Sequence, residues 1–270
     1  MDKKKIEEFA TTARKQLIQN LTYEASRIGI TPTEIQKPTT EAEDIQTFTI
    51  GTITNTLYKN QIEQRNQLIE EIETHSFDEV IEKIAYTWFN RIIAIRFMEI
   101  NNYLPTHTRV LSSITPGKKE PDIITEALNL DLDYTEEEIQ EIYKYKTENQ
   151  TDKLFKLLFI KQCNKLNEIL PELFETIDDY TEILFNIQLS KEKNIINKLI
   201  TTIPEEDFTN QVEIIGWMYQ YYNSEKKDKA NKSKEKINKE TLPYVTQLFT
   251  PDWIVKYMVQ NSLGRLYKKK

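Results

Sequence analysis

Glycine is scarce in this chain, and the scarcity limits what the chain can fold into. Among its 270 residues the glycines are Gly29, Gly51, Gly117, Gly216 and Gly264. Loops that cradle phosphates or dinucleotides need clustered glycines, because the backbone must approach the ligand closely. Helices, in contrast, are destabilised by glycine in their interiors. The chain is therefore predicted to be all-α, without an α/β nucleotide-binding domain of its own.

The composition predicts a folded core and argues against a metal site. Hydrophobic residues make up 39% of the chain, and 14 Tyr, 11 Phe and 3 Trp add large apolar surfaces. Cys163 is the only cysteine, which excludes an intramolecular disulfide and a cysteine-based zinc site. His75 and His107 are far apart in the sequence. All three residues are interpreted as ordinary core or surface positions.

Charge is distributed unevenly along the chain. Residues 225–270 contain twelve Lys and Arg against five Asp and Glu, a net charge of +7, so residues 1–224 carry −14. Phosphate contacts need cations, and any nucleic-acid contact is therefore expected at the basic end. The Lys-rich stretch 225–244 is interpreted as a linker or exposed loop. The N-terminus lacks a secretory signal and no stretch is apolar enough for a membrane span, which predicts a cytoplasmic protein.

Hydrophobic periodicity predicts a series of helices. The strongest is 77–100, which is apolar on two sides and is therefore expected to be buried between neighbours. Within it, Arg96 and Glu99 are spaced to pair on one face. Arg91 and Arg96 are expected to pair internally, with contact to a ligand as the alternative. The other predicted helices cover 1–28, 61–74, 123–148, 152–170, 179–187, 191–202 and a stretch beginning at Pro204.

Capping patterns and one alternating stretch complete the local predictions. Thr135 with Glu138, and Thr40 with Glu43, have the spacing of a capping box, so a helix is also expected to resume near Glu41. Ser76 is expected to cap the helix 77–100. The Thr/Ile alternation at 47–53 is the best candidate for a short strand.

The final segment carries the most informative local pattern. Thr250 is predicted as the N-cap of a helix over 249–267, with Pro251 at the first helical position. Phe249 and Ile254 have the spacing of a hydrophobic staple. The free N–H groups at such a helix start attract anions, including carboxylates. From the residues alone, the segment is either a plain core helix with a good cap or one edge of an anion site.

Three aromatic-rich segments together resemble a known family. They are IAYTWFNRIIAIRFMEINNYLP at 84–105, VEIIGWMYQYYNSEKK at 212–227 and QLFTPDWIVKYMVQNSLGRL at 247–266. The last is similar to the opening motif of gamma-class adenine DNA methyltransferases, and the set resembles the methyltransferases of type 1 BREX phage-defence systems. The resemblance implies a helical N-terminal domain at 1–224, the linker at 225–244, and the start of the methyltransferase domain at 245–270.

The resemblance also implies a cofactor and partners. In this family the Thr-Pro segment lies against S-adenosylmethionine, which assigns Phe249, Thr250 and Pro251 to one edge of the cofactor pocket. The family's glycine-containing loop and its N-P-P-Y motif are absent from these 270 residues. No catalytic residue is therefore expected here, and the chain is expected to be inactive alone. DNA is expected as a partner of the full-length enzyme, with other BREX proteins or a phage-encoded inhibitor as further candidates.

A second hypothesis comes from a different class of protein. The chain could be a stand-alone acidic helical interaction protein, since helical proteins rich in Tyr and Trp often present binding grooves. The charge of −14 over residues 1–224 would then imitate DNA phosphate. A glycine-rich loop followed by N-P-P-Y, encoded beyond residue 270, would favour the methyltransferase instead.

Overall fold

A computed structural model describes residues 1–175, 177, 179–209, 211–232, 242–246 and 249–268. The chain is mainly helical, as predicted, with one small sheet. No helix in the described ranges is long and apolar enough to cross a membrane. The helices are α1 Lys3–Arg27, α2 Lys59–His75, α3 Phe77–Ile100, α4 Asp122–Glu126, α5 Glu136–Thr147, α6 Thr151–Asn167, α7 Tyr180–Ile183, α8 Ile195–Thr202, α9 Glu213–Tyr222, α10 Ser224–Lys232, α11 Leu242–Thr246, α12 Asp252–Asn261 and α13 Leu263–Lys268.

The chain divides into two compact units. One unit contains residues 13–201, and the other contains residues 1–12 together with 202–270. This division does not follow the domain boundaries expected from the sequence, 1–224, 225–244 and 245–270. Those boundaries concern the organisation of a longer protein, and they stay a prediction.

The core of the unit 13–201 is built around α3. The helix has the bounds that the sequence predicts, and its two apolar stripes are buried. The Trp88 ring is fully buried and stacks on Phe185 with ring centroids 3.9 Å apart, while Phe159 of α6 lies 6.1 Å away. The Trp88 Nε1 donates to the Thr181 carbonyl oxygen at 3.3 Å. A helix apolar on two sides is thus enclosed by its neighbours, as expected.

The charged residues of α3 join the helix to the loop that follows it. Arg96 Nη1 donates to Glu99 Oε1 at 2.5 Å, and both side chains are fully buried. The same Glu99 oxygen accepts the Ser112 hydroxyl at 3.0 Å. Its other oxygen accepts the backbone N–H groups of Val110 and Leu111, both at 2.8 Å. The predicted Arg96–Glu99 pair is confirmed.

Arg91 also finds its hydrogen bond within the protein, although with a backbone acceptor. Its Nη2 donates to the Glu175 carbonyl oxygen at 2.9 Å, and its guanidinium lies 5.1 Å from the Trp88 ring centroid. Burial lowers the pKa of Arg91 from its ordinary value, because the charged form loses hydration.

The segment expected to be helical near Glu41 forms strands instead. An antiparallel sheet contains β1 Thr40–Ala42, β2 Ile45–Ile50 and β3 Ile53–Tyr58 in that order. The strand candidate at 47–53 is confirmed over residues 47–50, which lie in β2, while Gly51 (φ 61°) lies in the turn that separates β2 from β3. The prediction of a helix near Glu41 was wrong. The backbone there pairs with β2 instead, and the pairing begins where the Thr39 N–H donates to the Thr47 carbonyl oxygen at 2.7 Å. Pairing with β2 prevailed over the local capping pattern.

One aromatic ring fixes the sheet to the helices. Phe48 is buried, and the central carbon of the Arg65 guanidinium lies 4.4 Å from the centroid of its ring. Arg65 of α2 also donates to the carbonyl oxygens of Ile28 and Gln36, each at 2.8 Å. Gly29 has φ 76°, and an added Cβ there would lie 3.0 Å from the Phe48 ring.

Other local predictions had mixed outcomes. The capping box of Thr135 and Glu138 is present, with the two expected hydrogen bonds at 2.8 and 3.2 Å. Ser76 precedes α3 but makes no capping hydrogen bond through its side chain. The helix expected from Pro204 is only a 3₁₀ turn at Glu205–Asp207, and α9 begins separately at Glu213.

The Lys-rich stretch predicted at 225–244 is partly helical. Residues 225–232 lie in α10, in which no residue is buried, so the expectation of an exposed segment holds while that of a loop does not. Alternating Lys and acidic residues are compatible with a solvated helix. Residues 233–241 of this prediction lie outside the described part of the chain.

Replacing Glu99 should destabilise the fold strongly. Glu99→Gln removes one charge of a buried pair and brings an amide donor against groups that already donate. We expect the free energy of unfolding to fall by about 3 kcal/mol or more. Urea unfolding of the chain, followed by circular dichroism, measures this change.

The matched control is Glu71→Gln. Glu71 pairs with Lys83 at 3.5 Å on the surface, and such pairs contribute about 0.5 kcal/mol or less. Equal unfolding midpoints for the two variants would contradict the role assigned to Glu99.

Cys163 should be unreactive in the folded chain. Its thiol is fully buried, and burial raises its pKa to about 12. The reactive thiolate is therefore scarce between pH 7 and 9. We expect an aromatic disulfide reagent at pH 8 to modify Cys163 in urea but not under native conditions. Stoichiometric modification without unfolding would contradict the buried position.

Candidate functional site

The Phe-Thr-Pro turn leads directly into α12. The first helical residue is Asp252, and Pro251 (φ −54°, ψ 140°) occupies the cap position. Its carbonyl oxygen accepts the N–H of Ile254 at 3.0 Å and that of Val255 at 3.3 Å. The helix therefore starts two residues after Thr250, and the prediction of Thr250 as N-cap with Pro251 inside the helix was wrong by one position. Helix ends are often displaced in this way, since they depend on contacts that local sequence does not specify.

The predicted helix over 249–267 is also two helices. The α12 helix ends at Asn261, and α13 begins at Leu263. Between them Ser262 has ψ −86°, outside the helical range, and its hydroxyl donates to the Met258 carbonyl oxygen at 2.7 Å. Serine competes for backbone acceptors in this way, which disfavours helix continuation.

The ring of Phe249 lies against α9. The hydrophobic staple expected between Phe249 and Ile254 stays a prediction. A Cβ added to Gly216 would meet three ring atoms of Phe249 at well under 3.0 Å, a separation that real Cβ atoms do not show. The aromatic ring thus occupies the space that the glycine leaves on the helix surface. Phe249 remains 44% exposed, so one side of its ring is open to solvent.

Two backbone N–H groups of the turn are held by side chains of the same helix. The Phe249 N–H donates to Gln220 Oε1 at 2.9 Å. The Asp252 N–H, the first of α12, donates to Glu213 Oε1. A carboxylate therefore already lies at the positive end of the α12 dipole, where the sequence predicted an anion site.

The charge of Asp252 is directed along its own helix. Its Oδ2 pairs with Lys256 Nζ at 2.5 Å, at the i,i+4 spacing. The hydrogen bond that Lys256 donates to the Asp252 carboxylate, together with the charge of that carboxylate, raises the pKa of Lys256. The turn thus lies next to an internally paired carboxylate.

The predicted site residues Phe249, Thr250 and Pro251 form one turn, in which Phe249 and Thr250 are exposed and Pro251 is half-buried. Sequence reasoning missed the three residues that hold this turn, namely Glu213, Gly216 and Gln220. A signal for one of them was present, because a glycine inside an aromatic-rich helix indicates the close approach of another group.

The helices after the turn expose an unusual amount of apolar surface. Side chains of α12 and α13 that are at least 40% exposed are Trp253, Val255, Tyr257, Met258, Val259, Leu263, Leu266 and Tyr267. No residue of either helix is buried. Contiguous apolar surface of this kind is typical of a contact with another protein segment.

The unit 13–201 contains a separate polar cavity of about 510 Å³. It lies between α2 and the segment around α7, and none of its lining residues belongs to the Phe-Thr-Pro turn. Gln64 Nε2 donates to Glu182 Oε2 across it at 2.8 Å. The lining is mostly amide and carboxylate groups, from Asn60, Gln61, Glu63, Gln64, Gln67 and Glu182, with Ile177.

Comparison with known proteins gives two close relatives, although no model of a protein family matches the chain. The adenine-specific methyltransferase PglX of Lacticaseibacillus casei (strain Zhang) is 42% identical over 286 aligned residues, which cover 99% of this chain and 23% of that protein. The adenine-specific methyltransferase BrxX of Escherichia coli O9:H4 (strain HS) is 36% identical over 269 residues, covering 98% of this chain and 22% of that protein.

The chain thus spans less than a quarter of the length of these two relatives. The match nevertheless extends over almost all of its own residues, including the three segments on which the resemblance was based. Over almost all of its residues the chain is therefore homologous to one part of PglX and of BrxX, two proteins named as adenine-specific methyltransferases.

Proposed function

We propose that this chain is the N-terminal region of an S-adenosylmethionine-dependent adenine-specific DNA methyltransferase of a BREX phage-defence system. In this proposal it supports the catalytic domain, lines one edge of the cofactor pocket with Phe249, Thr250 and Pro251, and has no activity alone. The observation that carries the proposal is the similarity to two adenine-specific methyltransferases over at least 98% of the chain.

The chemistry of the turn fits one edge of such a pocket. Thr250 is exposed, and its hydroxyl makes no hydrogen bond with another of the described residues. A hydroxyl can both donate to a carboxylate and accept from an ammonium group, which are the two groups at the amino-acid end of S-adenosylmethionine. When bound, the cofactor supplies the methyl group. The turn's own contribution is orientation.

The catalytic residues belong to another part of the protein in this proposal. An enzyme that modifies a base in a duplex must extrude the base into a pocket. The motif expected to stack on that adenine, N-P-P-Y, does not occur in these 270 residues. The apolar side chains on α12 and α13 supply a surface against which such a catalytic domain can pack.

DNA is the proposed substrate of the complete protein. The basic residues 225–270, with a net charge of +7, are the part of this chain best suited to lie near phosphates. Residues 1–224, with −14, would instead repel a duplex. A stand-alone acidic interaction protein is less well supported, because only the negative charge of these residues and the aromatic-rich composition favour it.

Removing the Thr250 hydroxyl should weaken cofactor binding. For Thr250→Val in the complete gene product, we expect the dissociation constant for S-adenosylmethionine to rise about tenfold, the effect of one lost hydrogen bond to a charged group. Isothermal titration measures it. Thr246→Val is the control, because Thr246 Oγ1 donates only to the Leu242 carbonyl oxygen in the described contacts.

A second test of the proposed function uses residues 1–270 alone. We expect titration of residues 1–270 with S-adenosylmethionine to show no measurable binding, and an adenine-containing duplex to remain unmethylated. Methylation by this chain alone, or unchanged affinity in Thr250→Val, would contradict the proposal.

The apolar surface of α12 and α13 should matter only in the complete protein. Leu266 is 65% exposed, so Leu266→Glu should change the stability of residues 1–270 by about 0.5 kcal/mol or less. In the complete gene product the same change should cost about 2 kcal/mol, because a leucine buried in a domain contact is lost. Thermal unfolding of both proteins tests this difference.

The control for this surface is Ile114→Glu. Ile114 is 75% exposed in the loop between α3 and α4, as a single apolar residue, and no effect is expected in either protein. Equal behaviour of Leu266→Glu and Ile114→Glu in the complete protein would contradict packing at α12 and α13.

A further inference from the structure

One face of α9 contacts the Phe-Thr-Pro turn at three points. Glu213, Gly216 and Gln220 follow one another at i, i+3 and i+7, which places them on the same side of the helix. The carboxylate of Glu213 and the amide oxygen of Gln220 accept backbone N–H groups at the two ends of the turn. Gly216 lies between them, under the Phe249 ring.

We propose that Glu213, Gly216 and Gln220 are positioning residues that determine where Thr250 lies in the cofactor pocket. This inference rests on the proposed function, since it assumes that Thr250 contacts the cofactor. The three residues do not touch the cofactor themselves. They act through the backbone of the turn and through the Phe249 ring.

Gly216 supplies space. It lies inside a ten-residue helix, where alanine would ordinarily be the more stabilising residue. The glycines with positive φ are Gly29, Gly51 and Gly117, so Gly216 is not required for an unusual backbone conformation. What an alanine would change is the contact, because its Cβ would overlap the Phe249 ring.

The Phe249 ring cannot avoid this overlap without moving the turn. Its backbone N–H donates to Gln220 at 2.9 Å. Three atoms of its ring lie within the space that a Cβ at position 216 would need. A rotation of the ring away from α9 would remove its packing, while a shift of the backbone would lengthen the Gln220 hydrogen bond. Loss of the ring packing releases the turn, and a shift of the backbone moves it, so either response changes where Thr250, the next residue along the chain, lies.

Glu213 determines which group of the turn is open to a ligand. Its carboxylate accepts a hydrogen bond from the first N–H of α12 and lies at the positive end of the helix dipole. A carboxylate of a bound ligand would be repelled from this position. The Thr250 hydroxyl therefore becomes the contact that the turn offers to the cofactor.

The test uses Gly216→Ala in the complete gene product, with S-adenosylmethionine and a duplex substrate as probes. We expect the dissociation constant for S-adenosylmethionine, measured by isothermal titration, to rise about tenfold and its KM to rise with it, since small displacements at a positioned contact have effects of this size or larger. The KM for the duplex should remain unchanged. General unfolding would lower activity without separating the two constants in this way.

Gly264→Ala is the matched control. Gly264 also lies in a helix, but its added Cβ would meet only the Val259 carbonyl oxygen at 3.6 Å, an ordinary contact. Both KM values should equal those of the wild type. The double variant Gly216→Ala with Phe249→Leu removes the overlapping ring atoms, and it should recover the KM of Phe249→Leu alone, a non-additive result that indicates direct contact.

Glu213 is tested by a conservative and a disruptive change. Glu213→Gln keeps an acceptor for the Asp252 N–H and should retain a KM for S-adenosylmethionine within about twofold of the wild type. Glu213→Ala removes the acceptor and should raise that KM about tenfold, as a displaced turn would. Equal KM values in these two variants would contradict positioning by Glu213.

The outcomes separate the two proposals. If Thr250→Val weakens cofactor binding and Gly216→Ala behaves like Gly264→Ala, positioning by α9 is wrong and the proposed function stands. If Thr250→Val leaves the affinity unchanged, the proposed function is wrong and the positioning role falls with it. Weakened binding in both Thr250→Val and Gly216→Ala, with recovery in the double variant, supports both.

Discussion

Burial of the C-terminal half of α3, from Trp88 to Phe97, is the constraint on which the larger unit depends. A helix with apolar residues on two faces is stable only when other elements cover both, and here aromatic side chains from α6 and from the segment after α7 surround Trp88. In this half of the helix the charged residues Arg91, Arg96 and Glu99 are buried away from solvent. Glu99 is consequently fully hydrogen-bonded, and its bonds to Val110 and Leu111 hold the loop after α3 in place.

The second unit is organised differently, because its distinctive feature is an exposed turn that is held in place by α9. One face of α9 supplies two acceptors and a vacant Cβ position, and together these fix a segment that has little core of its own. The exposed apolar side chains on α12 and α13 are consistent with a partner segment in the longer relatives, of which this chain spans less than a quarter. Under the proposed function, α9 would make the turn a preorganised edge of the cofactor pocket.

Much of the helical fold could be predicted, and the reasons for the failures are physical. The bounds of α3 and the capping box at Thr135 follow from local periodicity and from side chains that bond within four residues. The strands at 40–58 could be predicted only in part, because Thr40 and Glu43 have a helix-capping pattern locally while the backbone pairs with residues further along the chain. For the candidate site, the sequence identified Phe249, Thr250 and Pro251 as the start of a helix, with the cap one position before its place in the structure. It did not identify Glu213 or Gln220, because these residues lie 39 and 29 positions before their hydrogen-bond partners and meet them only after folding.

The sequence by itself determined the helical class of the chain, the buried helix α3 and the family to which the chain is related. Periodicity and short motifs depend on residues within a few helical turns of one another, and the scarcity of glycine is a property of the composition. All three can be taken directly from the sequence. Only the tertiary structure decided that Glu213 occupies the start of α12 and that Phe249 lies on Gly216. A free helix N-terminus and an occupied one have the same local sequence. The difference lies in which distant side chain the fold brings to it.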